Sequence, residues 1–168
     1  ITVPGLIDSP VYSSHVSELS TLITNTQNRG DSMVILDTST YGDNTSTVIS
    51  SVTSRDTSYA ATYYPWILTI DPNSGQQVWV PPSTMMAGVY AFSDSVSDPW
   101  IAPAGVNRGI VGTAVRTERV LTQTTRDSLY QENINPIATF QTSGVTVFGQ
   151  KTLQKKKSSL DRVNVRRL

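Results

Sequence analysis

The sequence predicts one α/β domain with a mainly parallel or mixed sheet, helices on both faces and one antiparallel hairpin. Strand-like and helix-like segments alternate along its 168 residues, which is typical of α/β folds. Met33 to Leu36 is an uninterrupted apolar run of strand length, as expected for a central strand buried on both faces. A strong turn at Asp71 to Gly75 separates two short β-rich segments, which predicts the hairpin.

The opening segment predicts a strand, a helix and a second strand. Ile1 to Val3 is β-branched and ends at a Pro-Gly turn, and Ser9 followed by Pro10 predicts the start of a helix with Ser9 as its N-cap. Core-forming side chains then recur at helical spacing, at Val16, Leu19, Leu22, Ile23 and Thr26. Gly30 suits the residue after the helix, so residues 1 to 37 predict a right-handed βαβ unit.

The middle of the chain predicts a polar loop, the hairpin and a second helix. Residues 38 to 58 are too polar to form core alone, but Val48, Ile49 and Val52 predict a short helix within them. Residues 59 to 64, 66 to 70 and 76 to 80 are β-rich. Pro82 and Ser83 predict the start of a helix that runs to about residue 92, with Ser83 as N-cap. Its predicted buried face consists of Met85, Val89 and Phe92.

The last third predicts more loop. Prolines and glycines make residues 98 to 112 an ordered loop, which we expect Trp100 and Ile101 to hold against the core. Residues 122 to 132 predict a helix and residues 145 to 148 a buried strand. Residues 151 to 159 predict a polar basic loop, and Val163 begins a final strand or helix.

Composition excludes several kinds of site and reveals a division of charge. With no cysteine and one histidine, the chain cannot form disulfides or a Cys/His zinc site, and no apolar run is long enough to cross a bilayer. Residues 1 to 100 carry two basic and nine acidic residues, whereas residues 101 to 168 carry eleven basic and four acidic residues. The net charges of −7 and +7 predict either mixing on one folded surface or complementary faces between identical copies.

Neither nucleotide binding nor a metal site is favoured. Gly105, Gly109 and Gly112 lack the spacing of a phosphate-binding loop and are interpreted as turn residues. A few acidic residues at strand ends could gather around a divalent ion, but such residues commonly form turns: Asp37, Asp43, Asp56 and Asp71. We therefore predict no cofactor.

The one charge cluster is basic and lies near the carboxy terminus. It lacks the interleaved aromatic residues that favour nucleic-acid binding. The lysine triplet is interpreted first as a solvated loop, and contacts between identical copies are the alternative for the cluster, with the arginines as the main candidates. Its members are Lys155, Lys156, Lys157, Arg162, Arg166 and Arg167.

An ordered series of short motifs resembles the tail sheath proteins of contractile bacteriophage tails and related injection machines. The series includes Tyr64-Pro65-Trp66, Val78-Trp79-Val80-Pro81-Pro82-Ser83, Ala102-Pro103-Ala104-Gly105-Val106-Asn107-Arg108-Gly109, Ile134-Asn135-Pro136 and Asp161-Arg162-Val163-Asn164-Val165-Arg166-Arg167-Leu168. Val3-Pro4-Gly5-Leu6, Arg29-Gly30-Asp31 and Ile35-Leu36-Asp37 extend the resemblance to the amino-terminal part. Each motif is a short run of turn and core residues, and it is their order that carries the resemblance.

The resemblance implies a structural subunit with no enzymatic activity. It implies a subtilisin-like core at residues 1 to 160, the start of a carboxy-terminal domain at 161 to 168, and a fragment of a longer protein. The implied partners are other sheath subunits in a helical array, the tail tube protein, and the baseplate and tail terminator proteins, with no nucleic acid and no membrane insertion. The implied location is the virion tail, assembled in the host cytoplasm. Contraction would drive the tube through the host envelope for genome ejection.

A subtilisin-like fold makes a serine hydrolase the first chemical alternative. Asp8, His15 and Ser83 occur in the subtilase order, but Pro82 stands where a glycine should precede the nucleophile. Asp8 and His15 are also close together in the sequence, so we interpret Ser83 as a helix cap and His15 as a solvent-facing residue. A catalytically inactive hydrolase-like binding domain, and the sheath of a bacteriocin or of a type VI-like injection system, remain the alternatives.

Overall fold

A computed structural model describes all residues from 1 to 168 and places two sheets in one α/β fold. The larger sheet has five strands in the order β1-β2-β3-β7-β8. They are β1 (Thr2–Ile7), β2 (Val34–Asp37), β3 (Ala60–Tyr64), β7 (Ile134–Phe140) and β8 (Gly144–Val147). The first four are parallel and β8 is antiparallel to β7, so the predicted mixed sheet is confirmed.

The smaller sheet is antiparallel and contains the predicted hairpin. Its order is β5-β4-β6, with β4 (Ile67–Ile70), β5 (Gln77–Val80) and β6 (Ala114–Thr117). In the turn between β4 and β5, the Asp71 carboxylate accepts hydrogen bonds from the Asn73 amide and the Ser74 hydroxyl. Strand β6 carries no alternating or apolar signal that predicted it.

Five α-helices and one short 3₁₀ helix complete the fold. They are α1 (Ser13–Arg29), α2 (Thr45–Val52), α3 (Ser83–Val96), α4 (Gln123–Gln131), the 3₁₀ helix (Ser159–Asp161) and α5 (Val163–Arg167). None of these helices combines the length and apolar character that a membrane span requires. The Asn44 side chain caps α2 by accepting from the Thr47 amide, and the Thr122 hydroxyl caps α4 in the same way.

Helices cover both faces of the larger sheet, as predicted. One core cluster joins α1, α2 and α4 to Val34 and Leu36 of β2, and the other joins α3 and α5 to Ile35 of the same strand. Alternate residues of β2 therefore enter opposite cores, which explains its uninterrupted apolar sequence.

The opening βαβ unit is confirmed, but its first strand continues through the predicted Pro4-Gly5 turn to Ile7. The predicted start of its helix is also wrong. Helix α1 begins at Ser13 with Tyr12 as N-cap, and its end at left-handed Gly30 is as predicted. The Tyr12 amide donates to the Ser9 carbonyl over 2.9 Å, so Ser9 and Pro10 form a separate turn before the helix. The Asp8 carboxylate, which pairs with Arg55, holds this turn inside the fold.

Helix α3 is longer than predicted, and its buried face is displaced. Met86, Val89 and Ser93 face the core, while Met85 is half-buried and Phe92 is exposed. The prediction of Ser83 as N-cap is also wrong, since Pro82 occupies that position. A carboxylate from a neighbouring strand replaces the cap: the Asp37 side chain accepts from the Ser83 amide at 3.0 Å and from its hydroxyl at 2.6 Å.

The long loop at residues 98 to 112 is held differently from the prediction. Trp100 is exposed and Ile101 is half-buried, whereas Val111 is buried in the second core cluster. Gly109 lies so close to the Val147 carbonyl that an added Cβ would sit 2.5 Å from that oxygen. The close approach lets the Val147 amide donate to the Gly109 carbonyl over 2.7 Å.

The aromatic residues of the Tyr64-Pro65-Trp66 motif hold the loop before α2. The Tyr64 hydroxyl donates to the Asp43 carbonyl, and the Trp66 indole N–H donates to the Ser39 carbonyl. The motif therefore connects the larger sheet to the polar segment that could not form core alone.

Candidate functional site: the basic carboxy-terminal surface

Asn135 anchors the segment that carries the predicted basic residues. Its side-chain amide donates to the Thr62 carbonyl at 3.0 Å and to the Lys151 carbonyl at 2.8 Å, and its carbonyl oxygen accepts from the Lys151 amide at 2.6 Å. Asn135 is fully buried, and Gly149 packs against it with no room for a Cβ. This one side chain thus attaches the chain at residue 151 to the centre of the larger sheet.

The segment from Lys151 to Arg162 is mostly the predicted polar loop, but it folds back on itself and its first residues are buried. Thr152 and Leu153 are buried, and the Leu153 amide donates to the Ala60 carbonyl over 2.9 Å. Lys151 and Arg162 form an antiparallel bridge that closes the segment. The basic side chains are therefore held near one another.

The lysine triplet lies at the end of α2. The Lys155 ammonium donates to the Thr53 carbonyl at 2.6 Å, and its amide donates to the Asp56 carboxylate at 3.0 Å. A cation at the carbonyl end of a helix interacts favourably with the negative end of the helix dipole. Lys156 and Lys157 are exposed, and their side-chain ammonium groups make no hydrogen bond or ion pair within the chain.

Arg162 and Lys151 converge on Tyr130 at the end of α4. The Arg162 guanidinium donates to the Tyr130 hydroxyl at 2.6 Å, and the Lys151 ammonium lies 4.3 Å from the centre of the Tyr130 ring. Burial lowers the pKa of the Lys151 ammonium, and the neighbouring Arg162 charge lowers that pKa further. These groups line a cleft of about 610 Å³ between the ends of α2 and α4.

The last two arginines attach α5 to the end of α1, to Tyr59 and to α3. The Arg166 guanidinium carbon lies 3.6 Å from the centre of the Tyr59 ring, and the same side chain donates to the Gly30 carbonyl at 3.2 Å. Arg167 pairs with Asp94 of α3 and lies over the Tyr90 ring. The six predicted residues therefore form two groups, and Arg166 and Arg167 lie apart from the cleft that Arg162, Lys155 and Lys157 line.

A pair of tyrosines lies beneath Arg167. The Tyr63 and Tyr90 hydroxyls are 2.5 Å apart, and Tyr63 is fully buried. Burial raises the pKa of the Tyr90 phenol from 10.0 to about 12, and burial together with Tyr90 raises the pKa of Tyr63 well above its ordinary value. Both phenols are therefore held neutral in the folded protein.

We expect this pair to make folding sensitive to alkaline pH. Unfolded tyrosine loses its proton near pH 10, while folded Tyr90 keeps its proton to about pH 12, so the folded state binds more protons in that window. The stabilisation is complete below pH 10 and is lost as pH rises through 12. In urea unfolding between pH 9 and 12, the free energy of unfolding should fall more steeply with pH for wild type than for Tyr90→Phe. The difference in slope should be up to about 1.4 kcal/mol per pH unit. Tyr41→Phe, at an exposed site, should match wild type.

The three residues considered for a serine hydrolase have separate partners. Asp8 pairs with Arg55 at 2.7 Å, Ser83 donates to Asp37, and His15 stacks on Tyr12 with 5.0 Å between ring centres. His15 is half-buried instead of solvent-facing. Burial raises the pKa of the Asp37 carboxyl, while the hydrogen bonds from Ser83 lower it.

The residues considered for nucleotides or metals are also dispersed. The Asp43 carboxylate accepts from the Thr40 amide, Asp56 from the Lys155 amide, and Asp71 from its own turn. No group of three or more acidic or histidine side chains is close enough to hold a metal ion. Gly105 has a left-handed backbone in its turn, and Gly109 makes the close approach described above.

The basic residues were predicted from the sequence, but the side chains that position them were not. Asn135, Tyr130 and Lys151 were not predicted as part of the site. The signal for Asn135 was its place in the Ile134-Asn135-Pro136 motif, where an asparagine interrupts an apolar run. Lys151 and Tyr130 carry no local signal, since they meet only in the folded chain.

Together, the fold and the site define a mixed α/β domain with a basic surface, where most of the bases have intrachain partners and Lys156 and Lys157 have none. Part of its sequence is similar to that of phage tail sheath proteins. The chain is 42% identical to the tail sheath protein of Vibrio phage KVP40 over 98 residues, which are 58% of the chain and 15% of that protein. It is 33% identical to the tail sheath protein of Salmonella phage ViI over 114 residues, or 68% of the chain and 18% of that protein. No family model matches the chain.

Solved structures share the fold. The sheath complex of an extracellular contractile injection system, PVC, in its contracted state has a TM-score of 0.66 and 31% identity, covering 80% of this chain and 36% of that one. The contracted helical sheath of the anti-feeding prophage has a TM-score of 0.71 over 99% of this chain and 43% of that one. At 24% identity, this second match shows the fold alone.

The chain is thus homologous to a segment of contractile tail sheath proteins, and the resemblance drawn from the motifs is confirmed. It spans less than a fifth of the length of these phage relatives.

Proposed function

We propose that the chain forms part of a structural subunit of a contractile phage tail sheath. Many copies would form a helical cylinder around the tail tube and contract to drive the tube through the host cell envelope for genome ejection. The observation that carries the proposal is the 42% identity to a segment of a phage tail sheath protein. The shared fold with a contracted injection-system sheath at 31% identity supports it.

The proposed role is mechanical and not enzymatic. Contraction requires two arrangements of one lattice with different contacts between subunits, so the energy can be stored in assembly without a nucleotide. The separate partners of Asp8, His15 and Ser83 support this role, because a triad needs the three groups within hydrogen-bond reach.

The proposed partners are neighbouring sheath subunits, the tail tube protein, and the baseplate and terminator proteins at the two ends. The proposed location is the virion tail, after assembly in the host cytoplasm. Similarity to sheath and baseplate assemblies of injection systems supports the first of these partners. A phage owner is favoured over an injection system, since the identity is 42% to phage KVP40 and 31% to PVC.

Within this function, we assign subunit or tube contacts to the basic residues Lys155, Lys156, Lys157, Arg162, Arg166 and Arg167. Exposed Lys156 and Lys157 have no intrachain partner, which leaves their charges free for another chain. We also retain the proposed domain boundary at residue 160. Val163 is fully buried in the second core cluster, so α5 would begin the next domain while packed on this one.

Assembly tests the proposed function. Expression of the gene from which this chain comes should give long tubular polymers in negative-stain electron microscopy. Residues 1 to 168 alone should remain monomeric in light scattering, because the self-contained cores bury its apolar residues and contacts between exposed charges are individually weak. A full gene product that stays monomeric at every protein and salt concentration contradicts the proposal.

A further inference from the structure

We propose that the cleft between the ends of α2 and α4 binds a carboxylate-bearing segment of a neighbouring copy of this chain. The proposal rests on the sheath function and names the chemistry of one contact within it. The cleft has a volume of about 610 Å³, and only three of its 14 lining residues are hydrophobic.

The cleft has more basic than acidic groups. Its charged lining residues are Arg55, Lys151, Lys155, Lys157, Arg162, Glu132 and Asp161. Arg55 is neutralised by Asp8 outside this set, and the carbonyl ends of two helices offset part of the remaining positive charge. Three lysines and one arginine still face two acids, so an anion is the favoured occupant.

The bases retain donors for a ligand. The Lys151 ammonium gives one hydrogen bond to the Tyr130 carbonyl, which leaves two of its three N–H groups. Nη1 of Arg162 donates to the Tyr130 hydroxyl, and Nε lies 3.2 Å from the Asp161 carboxylate. The remaining guanidinium nitrogen, Nη2, makes no hydrogen bond within the chain. The Lys157 ammonium has no partner in the chain.

The two main donors are held in place before any ligand arrives. Tyr130 fixes Lys151 through its ring and backbone carbonyl, and fixes Arg162 through its hydroxyl. Ordered donors lose little conformational entropy on binding. A guanidinium beside an ammonium suits a carboxylate, which can accept from both.

A second copy can supply the carboxylate. Residues 1 to 100 have a net charge of −7, and exposed Glu18 and Asp98 make no side-chain hydrogen bond or ion pair within the chain. The cleft is basic and so does not complement itself. A contact between the cleft and a different surface of the next copy can repeat along an assembly, and such heterologous contacts generate rings or helices.

Peptide binding tests the cleft without requiring assembly. Titrating the chain with a short glutamate-rich peptide with blocked ends should give saturable binding by calorimetry, whereas the glutamine counterpart should not bind. The double variant Lys151→Gln, Arg162→Gln should bind the peptide about tenfold more weakly or worse, since it loses two charge-assisted contacts. The matched control Arg108→Gln, Arg116→Gln removes the same charge outside the cleft and should bind like wild type.

A third variant distinguishes a loss of binding from a folding defect. Lys157→Gln breaks no intrachain bond and should fold normally while binding about two- to threefold more weakly. Equal binding by wild type and both cleft variants, an equal loss in the control, or tighter binding of a single-stranded oligonucleotide overturns the proposal. If the peptide fails to bind while the full gene product forms tubes, the cleft proposal alone falls. If the peptide binds while no tubes form, the sheath function falls.

Discussion

Replacing Arg55 by methionine should lower the free energy of unfolding by about 3–5 kcal/mol, a large part of the roughly 5–15 kcal/mol that stabilises a typical domain. The Arg55 guanidinium makes two hydrogen bonds to the Asp8 carboxylate, at 2.7 and 2.9 Å, and one to the Ser20 hydroxyl at 2.8 Å. The Asp8 side chain is only 3% exposed, so the variant would leave an uncompensated charge inside the protein.

An exposed pair of the same kind provides the control. Arg29 and Asp31 are 2.8 Å apart, but their side chains are 68% and 57% exposed, so Arg29→Met should lower the free energy of unfolding far less than Arg55→Met. The double variant Asp8→Leu, Arg55→Met should recover much of the loss, because it removes the buried charge with its partner. Urea denaturation measures all three proteins. An Arg55→Met cost no larger than that of Arg29→Met would show that Asp8 regains water.

The parts of the fold predicted correctly are those whose signals are local. The β1-α1-β2 unit follows from side-chain spacing, from Gly30 and from one doubly buried strand, all within residues 1 to 37. The β4–β5 hairpin follows from the turn at Asp71 to Gly75. The prediction of Ser9 as the N-cap of α1 was wrong because Asp8 pairs with Arg55, far away in the sequence. This pairing holds the turn at Ser9 inside the fold, before the helix begins.

Strand β7 was missed because its sequence breaks the usual rule for a central strand. Pro136 has no N–H to donate, which argues against an interior position in a sheet. In the structure, Pro136 lies between the two segments of β7 that pair with different strands. Pairing with β3 ends at Pro136, opposite Tyr64, and pairing with β8 begins at Ile137. The Pro136 carbonyl still accepts from the Phe148 amide. Only the assembled sheet shows why the proline is tolerated.

The arrangement of the basic surface could not be predicted because its contacts join distant parts of the chain. Lys155 meets Asp56 from 99 residues away, and Arg167 meets Asp94 from 73 residues away. Both contacts join the acidic and basic halves within one molecule. Part of the charge division is therefore balanced internally, and the contacts proposed between copies depend on the groups that remain unpaired, such as Lys157 and Glu18.

Replacing Asn135 by alanine should destabilise the domain by about 3 kcal/mol or more and release the basic segment. The variant would leave the Thr62 and Lys151 carbonyls and the Lys151 amide without their partner in a buried site. Each buried group left unsatisfied costs about 1–3 kcal/mol. Urea denaturation should show the loss. Hydrogen exchange should also show faster exchange of the Lys151 and Leu153 amides, and trypsin should cut at Lys155 to Lys157 more rapidly.

Two further variants separate the hydrogen bonds from the size of the side chain. Asn135→Asp keeps the size of the side chain and the acceptor for the Lys151 amide, but it replaces the donor with an oxygen that faces two carbonyl oxygens. It should therefore cost at least as much as alanine at neutral pH. Asn107→Ala, at an exposed position on the long loop, should change stability by less than about 0.5 kcal/mol. If Asn135→Asp were as stable as wild type, the three hydrogen bonds would not hold the segment, and its attachment would rest on the burial of Thr152 and Leu153 alone.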